Sequence, residues 1–531
     1  GVENGAVNPL GAEYDDIVVG GGSAGAAIAS RLTEFTDRRV LLLEAGPDHL
    51  APDDADRLTN PMTFAQALTA WGLNATLGVG RELGYAQGKV VGGGSAINGA
   101  LALRGMPADY DRWAAEGATG WNWDALLPAF RRLETDLDIK NELHGSDGPV
   151  TIRRWAQSEL IPIQQAFLGA AREGGFGWTE DHNDPASTGI GPFPMNRDGD
   201  IRLSTALTYV AQARSRRNLT VAGGVRVDRL VLEPGAGGVR VTGVEVSRDG
   251  QHSTIPASRV IVTAGALASP ALLARSGIGP ADDLARLDIP CLIDNPNVGA
   301  NLMDHPGTLI FLAPTDPALC DPSGPAYQIG IRWTSGLGTE NDMLTGMMNY
   351  WNTSFDPDLH SAAGTDYIFA LTAGCHEPRS RGRLRLVDAD PATPPAIDFD
   401  MLSERVDEDR LVEGLRLLHR LARSKAMAPV ARDILLLEES AFESDERGDD
   451  SALRAYVHAT LGPWYHASGT CRMGSSPQRG AVVDPTLKVH GVDRLYVADA
   501  SVIPVIPRAA TNLTVLAVAE KAADILAGGQ E

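Results

Sequence analysis

The chain has 531 residues, 43% of them hydrophobic and 21% charged, and a formal net charge of −22. That length and balance describe a globular protein of more than one domain, and the negative charge excludes a nucleic-acid binder, whose partner's phosphates require basic patches. Its 58 glycines follow no triplet period, which excludes a fibrous chain.

Taken in chain order, Gly1 to Asp16 holds no basic stretch followed by an apolar run, so no secretory signal is read there and the expected compartment is cytoplasmic. The first strong element is Asp16-Ile-Val-Val-Gly20, an apolar run closed by glycine in the manner of a buried parallel strand. Ser23 to Thr33 follows as a helix of small residues, suited to close packing on a sheet. Arg39-Val-Leu-Leu-Leu-Glu44 is the second strand. Between the strands, Gly20-Gly21-Gly22-Ser23-Ala24-Gly25 matches GxGxxG at a strand-to-helix turn. In such a turn Gly20 permits the tight bend, Gly22 lets backbone approach a pyrophosphate, and Gly25 lets helix and strand touch. Glu44 lies 19 residues beyond Gly25, where a carboxylate accepts ribose hydroxyls. A dinucleotide site is therefore expected, and this pattern alone does not separate FAD from NAD.

Val260-Ile-Val-Thr-Ala-Gly265 and Arg494-Leu-Tyr-Val-Ala-Asp499 read as further strands. The last helix, about Leu513 to Leu526, puts Val515, Val518, Ala519, Ala522 and Ile525 on one face. These elements lie at both ends of the chain and once in its middle, so one cofactor domain is assembled from segments 12–105, 191–305 and 455–531. Segments 106–190 and 306–454, with most of the tryptophans, form a second domain that covers the cofactor. The 15 uncharged residues between Arg259 and Arg275 are too few for a membrane span. Cys291, Cys320, Cys375 and Cys471 are widely spaced, without a CxxC pair, and make no disulfide framework. His376-Glu377 has no partners at zinc-like spacing, so no metal is expected, and the acidic run Glu438 to Asp450 reads as an exposed loop.

Four further stretches carry a family resemblance. Gly88-Lys-Val-Val-Gly-Gly-Gly-Ser-Ala-Ile-Asn98, continued by Ala102, Gly105 and Asp111, resembles the first signature of the glucose–methanol–choline (GMC) oxidoreductases. Gly265 to Gly279 resembles the second. Val298-Gly299, Asn301-Leu302 and Asp304-His305 resemble the segment that follows it, where Asp304-His305 reads as structural. His466 to Gly474, then Val497 to Ser501, resemble the C-terminal block. The resemblance implies an α/β chain: a Rossmann-like FAD-binding domain built from discontinuous segments, plus a substrate-binding domain with a large sheet and covering helices. It implies FAD, bound non-covalently, because Ile97 stands where some relatives attach flavin through a histidine. The expected cofactor-binding residues are Gly20, Gly22, Ser23, Gly25, Glu44, Ala45, Trp71, Val91, Gly93, Gly94, Asn98, Gly99, Ala100, Leu101, Val225, Ala264, Gly265, Tyr465, Asp499, Ala500, Thr511 and Asn512. Asn98 to Ala102 are expected beside the reactive edge of the isoalloxazine, and the Val225 backbone at the adenine.

The implied chemistry is oxidation of a primary or secondary alcohol, with the hydroxyl proton taken by a base and the carbon-bound hydride by flavin N5. By resemblance His466 is the base, and Trp464 and Tyr465 wall the substrate pocket. The family's second polar residue, a histidine or asparagine, is Ala510 here, in Pro507-Arg-Ala-Ala-Thr-Asn512. Arg508, Asn512, a lid residue or water could replace the missing hydrogen bond, with Asn512 carried in the catalytic set beside His466. Alternatively, a substrate bulky near its hydroxyl uses the space that Ala510 leaves. Aryl or furanic, aliphatic, sugar and amino alcohols all remain open, and the acidic balance leans towards an amino alcohol or amino sugar. The electron acceptor is dioxygen or another partner. A flavin-containing hydroxynitrile lyase is the competing reading.

Overall fold

The apolar runs recognised in the sequence enter one sheet. The structure, a computed structural model, describes residues 9–48, 71–235 and 237–528. Part of the N-terminal stretch (1–8) and parts of the expected cofactor segments (49–70 and 529–531) lie outside the described residues. Tyr14–Val19 pairs in parallel with Val40–Leu43 on one side and with Gln251–Val262 on the other, and Leu219–Ala222 extends the layer beyond Val40–Leu43. Leu495–Val497 adds in parallel to the end of Gln251–Val262. Ile17, Val18, Leu41, Leu42, Val260 and Ile261 are all buried, because both faces of a parallel layer are covered.

Gln251–Val262 belongs to two structures at once. Its first half pairs antiparallel with Gly238–Arg248, which pairs in turn with Arg226–Gly235; its second half enters the parallel layer. Helix Ser23–Phe35 covers the layer, packed against the C-terminal helix Asn512–Gly528. Glu520 of that helix is fully buried and accepts from Arg31 Nε at 2.9 Å, Arg132 Nε at 2.6 Å and Tyr209 Oη at 2.6 Å. The three donors satisfy a carboxylate that would otherwise be costly to bury.

A second, antiparallel sheet runs Ala431–Leu435, Pro306–Pro314, Tyr367–Cys375, Met343–Asn352, Ile329–Trp333, Gly189–Pro192, with Gly462–Pro463 also on Pro306–Pro314. Helices Arg405–Ala422 and Pro162–Glu173 pack on it. This sheet and its helices make the substrate side of the α/β fold. The expected limits at 190 and 454 fall inside the strand Gly189–Pro192 and the helix Ser451–Thr460, and so cut through an element.

The acidic run is not the loop expected from its charge. Glu439–Glu446 is a helix, held because Ala441 and Phe442 are buried, Phe442 stacks on His419 at 3.8 Å, and Asp445 pairs with Arg416. Two apolar anchors and the pairs Asp445–Arg416 and Glu439–Arg423 outweigh the repulsion of the exposed carboxylates. All four cysteines are free, and Cys291 alone is exposed. Among the described residues, no helix is long and apolar enough to cross a membrane.

Candidate active site

The site begins at the glycine turn after the first strand. Gly20 has φ +100°, and a Cβ on Gly25 would overlap the Gly20 carbonyl, so helix Ser23–Phe35 sits directly on the turn. Gly22 caps that helix without a side chain, which leaves its first N–H groups for an anion. Glu44, 5% exposed, accepts from the N–H of Gly21 at 3.0 Å and of Gly46 at 2.9 Å. Burial raises its carboxyl to about 7, against these bonds and the nearby Lys89. Val225 donates its N–H to the Glu44 carbonyl, which brings it to the end of the second strand.

The loop 88–102 lies over this turn. Gly92 donates to the Gly21 carbonyl, and a Cβ on Gly93 would lie 2.6 Å from the Gly22 Cα. Val91 donates to the Pro47 carbonyl, and Trp71 Nε1 to the Gly88 carbonyl at 3.3 Å. Ala100 is held at φ 59°, with its N–H on the Asn98 side chain at 3.0 Å. Non-glycine residues adopt that region only under constraint, and such constraint gathers at functional sites. No side chain fills the space beside Gly94, and only Gln87 comes within 4.0 Å of a Cβ on Gly265. Ser23, Ala45, Asn98, Gly99, Leu101, Ala264, Ala500 and Asn512 keep partly accessible faces. This lining of bare backbone, the uncapped helix start and the Glu44 carboxylate fit a dinucleotide.

Asp499 closes the far wall. Its carboxylate accepts from Gly265 N at 2.8 Å, Ser269 Oγ at 2.6 Å and Ser501 N at 2.8 Å, so it ties two turns together and leaves the lining to Ala500 and nearby backbone. Thr511 is buried at the start of the last helix, where its carbonyl accepts from Val515. Asn512 donates to Ser23 Oγ at 3.3 Å, which sets its amide against the fingerprint helix. Arg508 is engaged by Asp109, Thr339 and the Glu340 carbonyl, so its guanidinium is not free to replace the group missing at Ala510.

His466 lies in a row of imidazoles. Its Nδ1 is 2.7 Å from Nδ1 of His305, whose Nε2 is 2.9 Å from the Pro507 carbonyl. A carbonyl only accepts, so His305 carries its proton on Nε2 and offers a lone pair at Nδ1. His466 must then donate from Nδ1, which leaves a lone pair at its Nε2. Burial holds both rings neutral: His466 falls to about 4, and His305 lies well below the ordinary imidazole value, with His376 and His466 adding to the effect. His376 stacks on His305 at 4.3 Å and meets Trp464 at 5.2 Å.

Asp304 supports the row from behind. It accepts from the N–H of His466 at 2.9 Å, the N–H of His305 at 2.7 Å and the Tyr85 hydroxyl at 2.7 Å. Asp304-His305, read in the sequence as structural, bonds directly to His466. The signal was present, since both residues stand in a motif block, but only the three-dimensional contact across 161 residues reveals it.

The indole of Trp464 occupies the space above Gly307 and Gly374, where any side chain would collide with it. Tyr465, 46% exposed, is held at φ 63° and leans on Tyr85 at 5.0 Å. Ala510 is buried at 8% exposure.

Behind the loop, Glu134, Asp136 and His144 converge closely enough to suggest a metal. Cations already compensate them: Arg104 meets Glu134 at 2.7 Å, Arg154 meets Asp136 at 2.9 Å and Asp181 at 3.0 Å, and His144 bonds to Asp181 at 2.6 Å. Burial alone would lower His144, but Asp136, Asp181 and Glu134 raise it to about 10. The cluster is an ion-pair network. Asn183 connects it to the end of the loop 88–102, accepting from Arg104 N and donating to the Ala102 carbonyl.

Residues 14–307 and 378–519 match two family models, both described as GMC oxidoreductase. The chain is similar to 5-(hydroxymethyl)furfural oxidase of Methylovorus sp. (strain MP688), 37% identical over 540 residues that cover 97% of this chain and 98% of that one. It is similar to mitochondrial choline dehydrogenase of Mus musculus, 36% identical over 547 residues, covering 97% and 90%. Among solved structures, pyridoxine 4-oxidase from Mesorbium loti superposes with a TM-score of 0.87 at 30% identity, covering 98% of this chain and 100% of that one.

Proposed function

The chain belongs to the GMC oxidoreductase family and is an FAD-dependent alcohol oxidoreductase, and from that premise we propose that His466 is its catalytic base, acting through Nε2. The observation that carries this reading is the bond from His466 to His305, which fixes the tautomer. A base must present a lone pair to the hydroxyl proton, and the Nδ1–H tautomer presents it at Nε2. His305 does not touch the substrate in this reading; it is a positioning residue. Its acceptor strengthens as His466 gains a proton, because hydrogen bonds to charged groups are the stronger ones.

Bound FAD supplies the acceptor for the hydride that leaves the carbinol carbon. Gly22, the N–H groups of Ser23–Phe35, Glu44, Gly94 and Gly265 are proposed to hold it, without a covalent bond at Ile97. Trp464 and Tyr465 are proposed to wall the substrate space. Their aromatic faces, and the names of the furfural and pyridoxine relatives, favour a neutral aryl or furanic alcohol. The carboxylates nearby are committed to the protein: Asp304 to backbone N–H groups and Tyr85, Glu377 to Arg410 and Thr339. A cationic amino alcohol would find no free partner in them.

The test is an anaerobic panel of benzylic, furanic, aliphatic and amino alcohols, with flavin bleaching followed before and after oxygen is admitted. Bleaching by aryl alcohols, lost at least 100-fold in His466→Ala, is the expected result. An unchanged reduction rate in that variant would exclude His466 as base.

A further inference from the structure

Tyr327 carries no signal in the sequence, yet its phenol reaches the loop 88–102. It stands just before the lid strand Ile329–Trp333, and its hydroxyl oxygen lies against Gly99 of the loop 88–102, where a Cβ on Gly99 would overlap it. The ring meets Phe193 edge-on at 5.8 Å and 81°. It packs in the apolar cluster of Ala100, Leu103 and Ala509, which Trp464 also touches. Tyr327 therefore spans the distance from the lid to the loop and shares neighbours with the His466 row.

The hydroxyl has no hydrogen-bond partner among the described residues. The oxygen is not among the buried unpaired atoms, so it faces accessible space, where phenylalanine would fill the ring's place without offering a donor. Asn98, Gly99, Leu101, Trp464 and His466, like Tyr327, keep partly accessible faces, whereas Ala100, Ala102 and Phe193 are buried. The hydroxyl stands against Gly99 of the loop 88–102, and Tyr327 packs on the same apolar cluster as Trp464, the neighbour of His466. Burial raises the phenol to about 12, so the group remains an O–H donor across any working pH.

The second polar side chain that the resemblance expects is missing from its position. Position 510 is alanine, Arg508 is engaged by Asp109 and Thr339, and the Asn512 amide is turned to Ser23. We propose that Tyr327 supplies that group: its O–H donates to the oxygen of the reacting alcohol while His466 Nε2 removes the proton from the same oxygen. Negative charge grows on that oxygen as the proton leaves, so a donor aimed there lowers the barrier more than it strengthens ground-state binding. The inference rests on alcohol oxidation at this site with His466 as base, and extends it by one substrate-contacting residue.

The test is Tyr327→Phe, which keeps the ring and its packing. Single-turnover flavin reduction is followed at saturating benzyl alcohol, together with the substrate's apparent dissociation constant and the FAD content. Loss of one such donor lowers a rate by about 10²–10³-fold. The expected result is a fall of about 100-fold in the limiting rate, with FAD content unchanged and the dissociation constant altered less than about fivefold. Placing Ala510→Asn in the Tyr327→Phe background is expected to restore at least about tenfold of the rate, by offering a donor from the other wall. A limiting rate unchanged in Tyr327→Phe overturns the proposal. So does a fall that tracks lost FAD, which would make the tyrosine a support for the loop. His466→Ala measured in parallel separates the two readings: an unaffected rate there removes the base, whatever Tyr327→Phe shows.

Discussion

Replacing His305 by alanine removes the acceptor that holds His466 in its Nδ1–H tautomer, and touches neither the fingerprint nor the glycine loop. The bond at stake is 2.7 Å long and enclosed, with the far side of His305 fixed on the Pro507 carbonyl. In the resting enzyme both rings are neutral. In the transition state His466 becomes cationic, and the bond then joins a charged donor to a neutral acceptor. Such bonds contribute about 1.5–3 kcal/mol, and each 1.36 kcal/mol is a factor of ten in rate. His305→Ala is therefore expected to slow flavin reduction by about 10- to 150-fold. That is less than the ~10⁴-fold cost of disabling the anionic aspartate in a serine-protease triad, since imidazole carries no charge. The assay is anaerobic stopped-flow at saturating alcohol, on protein with full FAD content. His305→Gln, whose amide can accept from His466 and donate to Pro507, is expected to recover most of the loss. A rate in His305→Ala within twofold of wild type would refute the reasoning.

Two further outcomes follow from the same structure. Because burial lowers His466 to about 4, the base is lost only in acid: kcat/KM is expected to be level above pH 6 and to fall as the pH drops through about 4, and a plateau reached only above pH 8 would contradict the assignment. His144→Leu leaves the Glu134, Asp136 and Asp181 carboxylates short of one cation, and is expected to cost about 3–5 kcal/mol at pH 7 in urea unfolding. His144 is raised to about 10 in the fold, so its contribution is complete below its unfolded pKa of about 6.5 and fades as pH rises through 10. The gap between wild type and variant should narrow over that interval, and a constant gap would contradict the network.

How much of this was legible in the sequence depended on range. The fingerprint at Gly20 to Gly25, the strands around it and Glu44 were readable because turn, helix start and strand end are adjacent in the chain, and each residue type answers a local steric demand. Ser23–Phe35 and Asn512–Gly528 were recognised for the same reason. The acidic run misled because charge was weighed without Phe442, whose partner His419 lies on another helix. The lid sheet was expected only in outline: Met343–Asn352 and Tyr367–Cys375 are apolar segments whose pairing is set by distant neighbours. His305 was passed over because its contact with His466 spans 161 residues, and Tyr327 because its hydroxyl acquires meaning only against a glycine in a different segment.

The scattered origin of the cofactor layer has a consequence for biosynthesis. Leu495–Val497 completes the layer, and Asn512–Gly528, anchored through Glu520 to Arg31 and Arg132, closes over the first helix. A nascent polypeptide with its N-terminal half already out of the ribosome still has an open flank where these segments belong. The prosthetic group therefore has its full set of walls only once residues 495–528 have joined segments made long before them, which ties the capture of FAD to the docking of helix Asn512–Gly528.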